Sequence, residues 1–381
     1  MSNWIHTERL PHLLQTAAYH APDIYARELA QVFRPGWHCI GSTHEFAAKG
    51  DFVTDSIAGA PIIVQRTQDH ELRGFLNVCA HRHALLTHEA RGNQRRLRCQ
   101  YHGWEYDADG VACKIPDAAC FVPLTKGDLR LQPIRVDTLG PLVFVSLAPT
   151  GAGLRESLGP QVASKLEAWF RSAPRLAVSL SIDHPCNWKV PIENVLESYH
   201  VPLLHDNFVA RHPRVFRFFQ GAPGVGRKEA HELGDKHTTV HDELGTDSAL
   251  YKGLLRWFRP DASVAFEHVH AFPSLLLGQT AVVTFVQSIL PLSPTRCRSL
   301  VRIFLDLGQQ GRPLAERMVA RAADRAAREL FLLLMREDGR IFEAVQRGLE
   351  TSQQPGVLGT REERIHAFHQ YLRTSLDGVA G

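Results

Sequence analysis

The chain lacks the features that would assign it to a membrane, nucleic-acid-binding or secreted class. No stretch of the sequence approaches the roughly 20 apolar residues of a transmembrane helix. Lysine and arginine total 43 against 40 aspartate and glutamate, and a net charge of +3 indicates neither a nucleic acid nor a membrane as partner. The seven cysteines are odd in number and show no disulfide pattern, and the N-terminus lacks the layout of a signal peptide. We therefore expect a cytoplasmic protein.

Two pairs of cysteine and histidine predict a metal cluster. Cys79 and His81 form a C-x-H pair, Cys99 and His102 form a C-x-x-H pair, and residues 82–98 separate the two. In a Rieske [2Fe–2S] centre, two cysteines bind one iron and two histidines bind the other. A structural zinc site also uses two of each, but its spacing usually groups the like residues together. The mixed pairs therefore favour the Rieske centre over zinc.

A chain of 381 residues is long enough for two domains with separate cores. Residues 1–35 are predicted to form a helical segment that packs with the second domain. Short β runs indicate a small all-β domain over 36–150, around the cysteine and histidine pairs. The second domain, 151–381, mixes helical and strand patterns. Its predicted elements are a helix at 160–172, strands at 176–182, 279–289 and 297–306, a helix that begins near Pro191, and a long helix at 313–350.

A second metal-binding pattern lies between Glu193 and His205. The spacing of Glu193, Glu197 and His200 predicts one continuous helix that carries all three on one face. Pro202 would end this helix just past His200, so that His205 returns toward it. A mononuclear Fe(II) that activates O2 is bound by two histidines and one carboxylate, which the two histidines here begin to supply.

The third ligand of such a site must come from elsewhere in the chain. Asp338, in a helical segment, is the best candidate. Glu337, Asp306 and Asp324 are alternatives, because helical periodicity alone does not separate Asp338 from an exposed acidic residue.

Together these motifs resemble the α subunit of Rieske non-haem iron oxygenases. The family pattern C-x-H-R, then C-x-x-H-G-W, is present as Cys79–Arg82 and Cys99–Trp104. The pattern Asn-Trp-Lys, then Glu-Asn-x-x-acid-x-Tyr-His-x-x-x-x-His, is present at Asn187–Lys189 and Glu193–His205, and a late Glu-Asp stands at 337–338. The resemblance covers nearly the whole chain. It implies an α+β protein with a small all-β Rieske domain and a helix-grip catalytic domain, whose central antiparallel sheet carries helices on one side.

The resemblance also implies a role for each matched residue. In this family the acid three residues before the first iron-binding histidine bridges the two metal centres. Here Glu197 would hydrogen-bond the cluster ligand His102 of the neighbouring subunit in a homotrimer and pass electrons to the iron. Asn194 would lie near the iron without binding it. The implied cluster ligands are Cys79, His81, Cys99 and His102, and the implied ligands of Fe(II) are His200, His205 and Asp338.

One position departs from the usual family pattern. Most members carry Asp where this chain has Glu197, and Glu resembles the branch that acts on quaternary ammonium compounds such as choline, carnitine or betaines. A cage of aromatic side chains is expected around such a substrate. The same side chains would suit an aromatic substrate or the core, so the substrate stays open. The aromatic residues available are Phe208, Phe216, Phe218, Phe219, Trp257, Phe258, Phe272 and Phe285.

The sequence contains no reductase module. Residues 151–153 and 224–226 lack the third glycine of a dinucleotide site, and no plant-type ferredoxin cysteine run is present. The resemblance implies that a separate NAD(P)H-dependent reductase supplies electrons, directly or through a ferredoxin. Arginines between the ligand pairs could dock such an acidic partner or form a solvated hairpin. They are Arg91, Arg95, Arg96 and Arg98.

The leading functional hypothesis is a terminal monooxygenase. It would use O2 to hydroxylate a C–H bond of a small organic substrate, or to remove an N-methyl group by hydroxylation. An aromatic-ring dioxygenase that forms a cis-diol is the alternative within the family. A Rieske electron-transfer protein is the alternative from a different class. Iron content separates either oxygenase from the electron-transfer protein, since only an oxygenase needs a mononuclear iron besides the cluster.

Overall fold

The structure is a computed structural model that describes residues 5–123, 127–205, 229–243, 265–306 and 313–377. The chain divides into two compact units. The small unit is 33–157, and the large unit combines 1–32 with 158–381. The domain boundaries after residues 35 and 150 stay predictions.

The described strands and helices are numbered in chain order. The strands are β1 (Leu10–Pro11), β2 (His38–Ser42), β3 (Asp51–Ile57), β4 (Ala60–Arg66), β5 (Leu72–Leu76), β6 (Arg91–Asn93), β7 (Leu97–Arg98), β8 (Glu105–Tyr106), β9 (Ala112–Lys114), β10 (Pro133–Leu139), β11 (Leu142–Ser146), β12 (Arg175–His184), β13 (Glu229–Leu233), β14 (His237–Glu243), β15 (Ala265–Ala271), β16 (Leu275–Gln279), β17 (Val283–Ser293), β18 (Arg296–Leu305) and β19 (Val357–Leu358). The helices are α1 (Pro22–Glu28), α2 (Leu154–Leu158), α3 (Pro160–Trp169), α4 (Lys189–Leu196), α5 (Val201–Leu204), α6 (Pro313–Thr351) and α7 (Glu363–Asp377).

The small unit consists mainly of antiparallel strands, as its β runs and turn residues predict. One sheet has the order β2-β11-β10-β5-β4-β3-β6, and a second has the order β7-β8-β9. Cys79 and Cys99 belong to the same buried cluster as Phe75, Trp104 and Tyr106. The loops that carry the two cysteines are therefore anchored on the core of this unit.

The large unit is built on an antiparallel sheet with the strand order β12-β18-β17-β16-β15-β14-β13. Side chains alternate across each strand, so neighbouring residues of β18 face opposite sides. Ile303 packs with Ala327 and Phe331 of α6 on one face, while Phe304 contacts the ring of Phe170, at the end of α3, 4.9 Å away. On the α6 face, Arg364 of α7 donates to Thr238 at 3.0 Å.

The α+β class with a central antiparallel sheet is confirmed. The strands predicted at 279–289 and 297–306 are β17 and β18, and the long helix at 313–350 is α6. The expectation that helices lie on one side of the sheet holds for α6 and α7, but α3 lies against the other face. Among the described helices, none has the length and apolar content to cross a membrane.

The N-terminal segment of the large unit is tied to α4 by buried polar contacts. Glu28 of α1 accepts hydrogen bonds from the Lys189 ammonium at 2.6 Å and from the Trp188 indole at 2.7 Å. Glu28 and Lys189 are both fully buried. A buried ion pair of this kind fixes its partners in place, because separating either charge from the other is costly.

Candidate metal centres

The helix that carries the second motif ends earlier than the sequence predicts. Helix α4 stops at Leu196, and Glu197 has an extended backbone with φ −131° and ψ 162°. Pro202 lies in the first turn of α5 rather than at the end of a helix. In a continuous helix the ring of Pro202 would clash with the carbonyl of Ser198, so the break must come before the proline. The prediction of one helical face shared by Glu193, Glu197 and His200 is therefore wrong.

The break brings His200 and His205 together with Asp338. Each of these residues offers one donor atom, and the three donor atoms lie within 4.8 Å of one another. The Nε2 atom of His205 is 3.4 Å from Asp338 Oδ1, and that of His200 is 3.9 Å from it. His200 and His205 flank the short helix α5, and Asp338 lies in the interior of α6. This is the two-histidine, one-carboxylate set that suits Fe(II).

Each histidine is oriented by a carboxylate other than that of Asp338. His200 Nδ1 is hydrogen-bonded to Glu197, and His205 Nδ1 is 2.8 Å from Glu337 Oε2. A carboxylate can only accept, so Nδ1 is the donor in each ring and Nε2 keeps its lone pair for a metal. Hydrogen bonds of this kind typically fix the tautomer and orientation of metal-binding histidines.

Asp338 has two properties expected of a metal ligand: its carboxylate is buried, and one of its oxygens has no hydrogen-bond partner among the described residues. Asp338 is 5% exposed, and its buried Oδ1 has no hydrogen-bond partner among the described residues. Burial raises the pKa of Asp338, while His205, His200 and a hydrogen bond from Asn194 oppose that shift. A cation bound to Oδ1 would satisfy this atom, so the residues present fit an iron ion. Asn194 therefore contacts a candidate metal ligand.

The other acidic candidates for the third ligand have different contacts. Glu337 faces Nδ1 of His205, on the side of the ring away from the candidate metal position. Asp324 makes two hydrogen bonds of 2.7 Å to Arg175 on the surface. Asp306 follows β18 and is not part of the three-donor group. The structure therefore favours Asp338 over these alternatives.

The two loops of the cysteine and histidine pairs share one backbone pattern. The first loop bonds His83 N–H to Cys79 O at 3.1 Å and Cys79 N–H to Ala84 O at 2.8 Å. The second bonds Gly103 N–H to Cys99 O at 3.0 Å and Cys99 N–H to Trp104 O at 2.8 Å. His83 and Gly103 both have positive φ, 58° and 71°, and this closes each turn.

The side chains of these loops pair by type. The His81 and His102 rings are 4.7 Å apart, with His81 stacked on Trp104. The thiols of Cys79 and Cys99 lie within hydrogen-bonding reach. Among the described residues, three-donor groups with all atoms within 4.8 Å occur at two places, and neither includes these cysteines. A tetrahedral zinc would draw its donors to within about 4 Å of each other. Separate cysteine and histidine pairs instead fit a cluster of two irons.

Sequence reasoning missed one contact of the cluster loops. The Tyr106 hydroxyl lies 2.9 Å from Cys79 Sγ and accepts the Ala80 N–H at 3.1 Å. The motif spacing gave no signal for this contact, since Tyr106 lies on β8 beyond the ligand loop.

Of the aromatic residues considered for a substrate cage, Phe272 and Phe285 are described, and the other six lie outside the described residues. Phe285 stacks near His268, with ring centroids 5.7 Å apart.

Comparison with known sequences matches both halves of the chain. Residues 36–134 match the Rieske [2Fe-2S] domain, and residues 174–378 match the ring hydroxylating alpha subunit (catalytic domain). The chain is 26% identical to the chloroplastic choline monooxygenase of Arabidopsis thaliana, over 94% of this chain and 81% of that protein. It is 28% identical to the carnitine monooxygenase oxygenase subunit of Escherichia coli K12, over 63% of this chain and 64% of that protein.

Solved structures share the fold over nearly the whole chain. The quaternary ammonium Rieske monooxygenase CntA in complex with L-carnitine aligns with a TM-score of 0.74 at 20% identity, covering 96% of both chains. Naphthalene 1,2-dioxygenase with indole in its active site aligns with a TM-score of 0.75 at 19% identity, covering 97% of this chain and 92% of that one. The chain therefore belongs to the ring-hydroxylating oxygenase α subunits, with a Rieske [2Fe–2S] domain and a mononuclear iron catalytic domain.

Proposed function

We propose that this chain is the oxygenase component of a monooxygenase acting on a small N-methylated ammonium compound. The observation that carries the proposal is the convergence of His200, His205 and Asp338 on one point. The proposed cluster ligands are Cys79, His81, Cys99 and His102.

Iron bound at this site would supply O2 activation, which amino acid side chains lack. The protein's own residues hold and shape the site. Glu337 fixes the His205 ring, and the Asn194 amide holds the Asp338 carboxylate. Because His200 and His205 both donate from Nδ1, both present Nε2 toward Asp338. One side of the metal would remain open for O2 and substrate.

Glu197 is proposed to link this site to the cluster of a neighbouring subunit. Its carboxylate receives hydrogen bonds from His200 Nδ1 and from the His200 backbone N–H, the latter at 3.0 Å. A carboxylate has further lone pairs, so it can also accept from a second imidazole, for which His102 is the proposed donor. In this arrangement Glu197 would orient both rings and couple the two metal centres.

Exposed apolar side chains support a homotrimer in which these two regions meet. Next to Glu197, Tyr199 is 65% exposed and Leu203 is 86% exposed. Next to His102, Tyr101 is 57% exposed. Large apolar side chains that meet in one contiguous surface are a common mark of protein contacts, and the proposed assembly would bring these three together. A homotrimer would bury such side chains while it joined each cluster to a neighbouring iron.

Oxygenases of this family work with a separate reductase and a small-molecule substrate. For this chain, an NAD(P)H-dependent reductase is the proposed electron source, directly or through a ferredoxin. An open concave surface of about 960 Å³ borders the second ligand loop and is lined by Arg95, Arg96 and Arg98. An acidic electron donor would complement these arginines. The location proposed for the chain is the cytoplasm.

The substrate class rests on Glu197 and on the relatives. Choline and carnitine monooxygenases are among the proteins most similar to this chain. Glu197 is the residue by which the sequence resembles that branch. The second candidate is cis-dihydroxylation of an aromatic ring, because an anthranilate 1,2-dioxygenase large subunit is also among the relatives of this chain.

A single-turnover assay tests the proposal. The protein is reduced, separated from the reductant, and mixed with isotopically labelled O2 and a panel of N-methylated amines and aromatic compounds. We expect mass spectrometry to find an amine with one labelled oxygen, or a demethylated amine with formaldehyde. Two labelled oxygens in an aromatic product would instead identify the dioxygenase. The double variant His200→Ala, His205→Ala is the control, and turnover in that variant would contradict the assigned iron site.

A further inference from the structure

We propose that the large unit holds a second metal site, formed by His12, Glu193 and His369, that binds one divalent transition-metal ion of the Zn²⁺ class. One ring nitrogen of each histidine and one carboxylate oxygen lie within 4.8 Å of one another. The site is distinct from the iron site and shares no residue with it. Its three residues come from the N-terminal segment, from α4 and from α7.

The contacts among the three residues are those of a compact donor set. His369 Nε2 lies 2.9 Å from Glu193 Oε1, and the rings of His12 and His369 are 4.6 Å apart. Donors bound to one zinc ion at about 2.0 Å are roughly 3.3 Å apart. The three side chains therefore need only small shifts to surround an ion.

Two hydrogen bonds prepare these side chains for a metal. His12 Nδ1 is 2.9 Å from the carbonyl oxygen of Leu14. A carbonyl can only accept, so Nδ1 is the donor and Nε2 keeps its lone pair. The Tyr19 hydroxyl donates to Glu193 Oε1 at 2.5 Å and holds the carboxylate. A backbone carbonyl behind a ligating histidine and a donor to the ligating carboxylate are typical supports of a metal site.

The His369 ring is buried, and one of its nitrogens is not committed to a partner. Its side chain is fully buried, and its Nδ1 has no hydrogen-bond partner among the described residues. No neighbouring group therefore fixes the tautomer, and the ring proton can be carried by Nδ1. Nε2, which lies next to Glu193, then keeps its lone pair for a metal ion.

Two of the three residues are within reach of solvent. His12 borders a cavity of about 250 Å³, which Leu14 and Thr16 also line. The side chain of Glu193 is 17% exposed, so the cluster is not sealed from solvent. Two imidazoles and one carboxylate suit zinc, with a water molecule as fourth ligand. A bound ion would join the N-terminal segment to α4 and α7, and so hold the helix that leads into Glu197.

Zinc titration of the full chain tests this site. Because His200, His205 and Asp338 would also bind zinc, the titration uses the double variant His200→Ala, His205→Ala after chelator treatment. The visible absorption of the [2Fe–2S] cluster verifies that the cysteine and histidine pairs are still occupied and do not take up zinc. A competing chromophoric chelator reports the affinity. We expect one equivalent of Zn²⁺ with a sub-micromolar Kd. A parallel anaerobic titration with Fe²⁺ determines which of the two ions the site prefers. Absence of zinc binding in this variant would overturn the proposal.

Three further substitutions in that background locate the ion. His12→Gln should weaken binding at least tenfold, because the amide is a poor zinc ligand. Tyr19→Phe should weaken it by about 10–100-fold, since it frees the Glu193 carboxylate. His366→Gln is the matched control, because His366 also lies on α7 and contacts the N-terminal segment, at Pro11 O, 3.0 Å away. It should bind zinc like the parent. Circular dichroism melting checks folding, and parental affinity in both His12→Gln and Tyr19→Phe would refute the assignment.

Discussion

At the proposed iron site, two adjacent residues of α6 take different roles. His200 and His205 lie together in one local motif. Glu337 and Asp338 are adjacent on α6, far from that motif in sequence. Only the fold determines that Asp338 faces the histidine Nε2 atoms while Glu337 faces the opposite side of the His205 ring. Adjacent residues of a helix point about 100° apart, so neighbours take different roles.

Replacement of Glu337 should weaken iron binding without removing an iron ligand. In Glu337→Ala, His205 loses the acceptor that fixes its tautomer, and iron affinity should fall by about 10–100-fold. Glu337→Gln keeps an acceptor oxygen and should lose less. The measurement is iron content after dialysis against a graded chelator, with Glu343→Gln on the exposed face of α6 as control. If Glu337→Ala retained iron like the wild type, the orienting role would be refuted.

Removal of the Tyr106 hydroxyl should lower the reduction potential of the cluster. The hydroxyl is 2.9 Å from Cys79 Sγ, and a hydrogen bond to sulfur stabilises the more negative, reduced state. If the hydrogen bond stabilises the reduced cluster over the oxidised cluster by about 1.4 kcal/mol, its loss lowers the potential by about 59 mV for one electron. Tyr106→Phe should therefore shift the potential down by several tens of millivolts in a spectroelectrochemical titration. Tyr101→Phe alters an exposed hydroxyl in the same region and serves as control. An unchanged or higher potential in Tyr106→Phe would contradict the assignment.

Periodicity predicted the regular elements well and the motif-bearing helix poorly. Strands β17 and β18 and helix α6 are long and strongly patterned, so their side-chain periods identify them. Helix α4 ends because of a local conflict: the chain must leave the helix before Pro202. The sequence contains that proline, but its spacing does not say how many residues upstream the break comes. Glu193 consequently contacts Tyr19 and His369 instead of sharing a face with Glu197.

The buried pair of Glu28 and Lys189 should stabilise the large unit by holding α1 on α4. In Glu28→Ala, the Lys189 ammonium would remain buried without its partner 2.6 Å away, which should cost about 3–5 kcal/mol. The double variant Glu28→Gln, Lys189→Met removes both charges and should lose less. Urea unfolding followed by circular dichroism measures both. Equal destabilisation of the two variants would show that the charge pair is not the cause.

The proposed assembly makes a prediction that no single chain can test. If electrons pass from the cluster of one subunit to the iron of the next, two inactive chains should complement each other in a mixed trimer. One chain carries Cys99→Ser and lacks a working cluster, and the other carries His200→Ala with His205→Ala and lacks the iron. In a closed ring with random mixing, about one quarter of the neighbouring pairs are productive.

Co-expressed chains with different affinity tags should therefore show about one quarter of wild-type turnover per chain, which is about one half per iron-competent chain, while each chain alone shows none. Size exclusion verifies that both chains assemble. Adding Glu197→Gln to the Cys99→Ser chain places it on the only competent iron site and should remove the restored activity, because an amide cannot take the place of the carboxylate between two imidazoles. If transfer occurred within one subunit, mixing would restore nothing. Since neither chain is active alone, restored turnover shows that electrons pass from the cluster of one subunit to the iron of another.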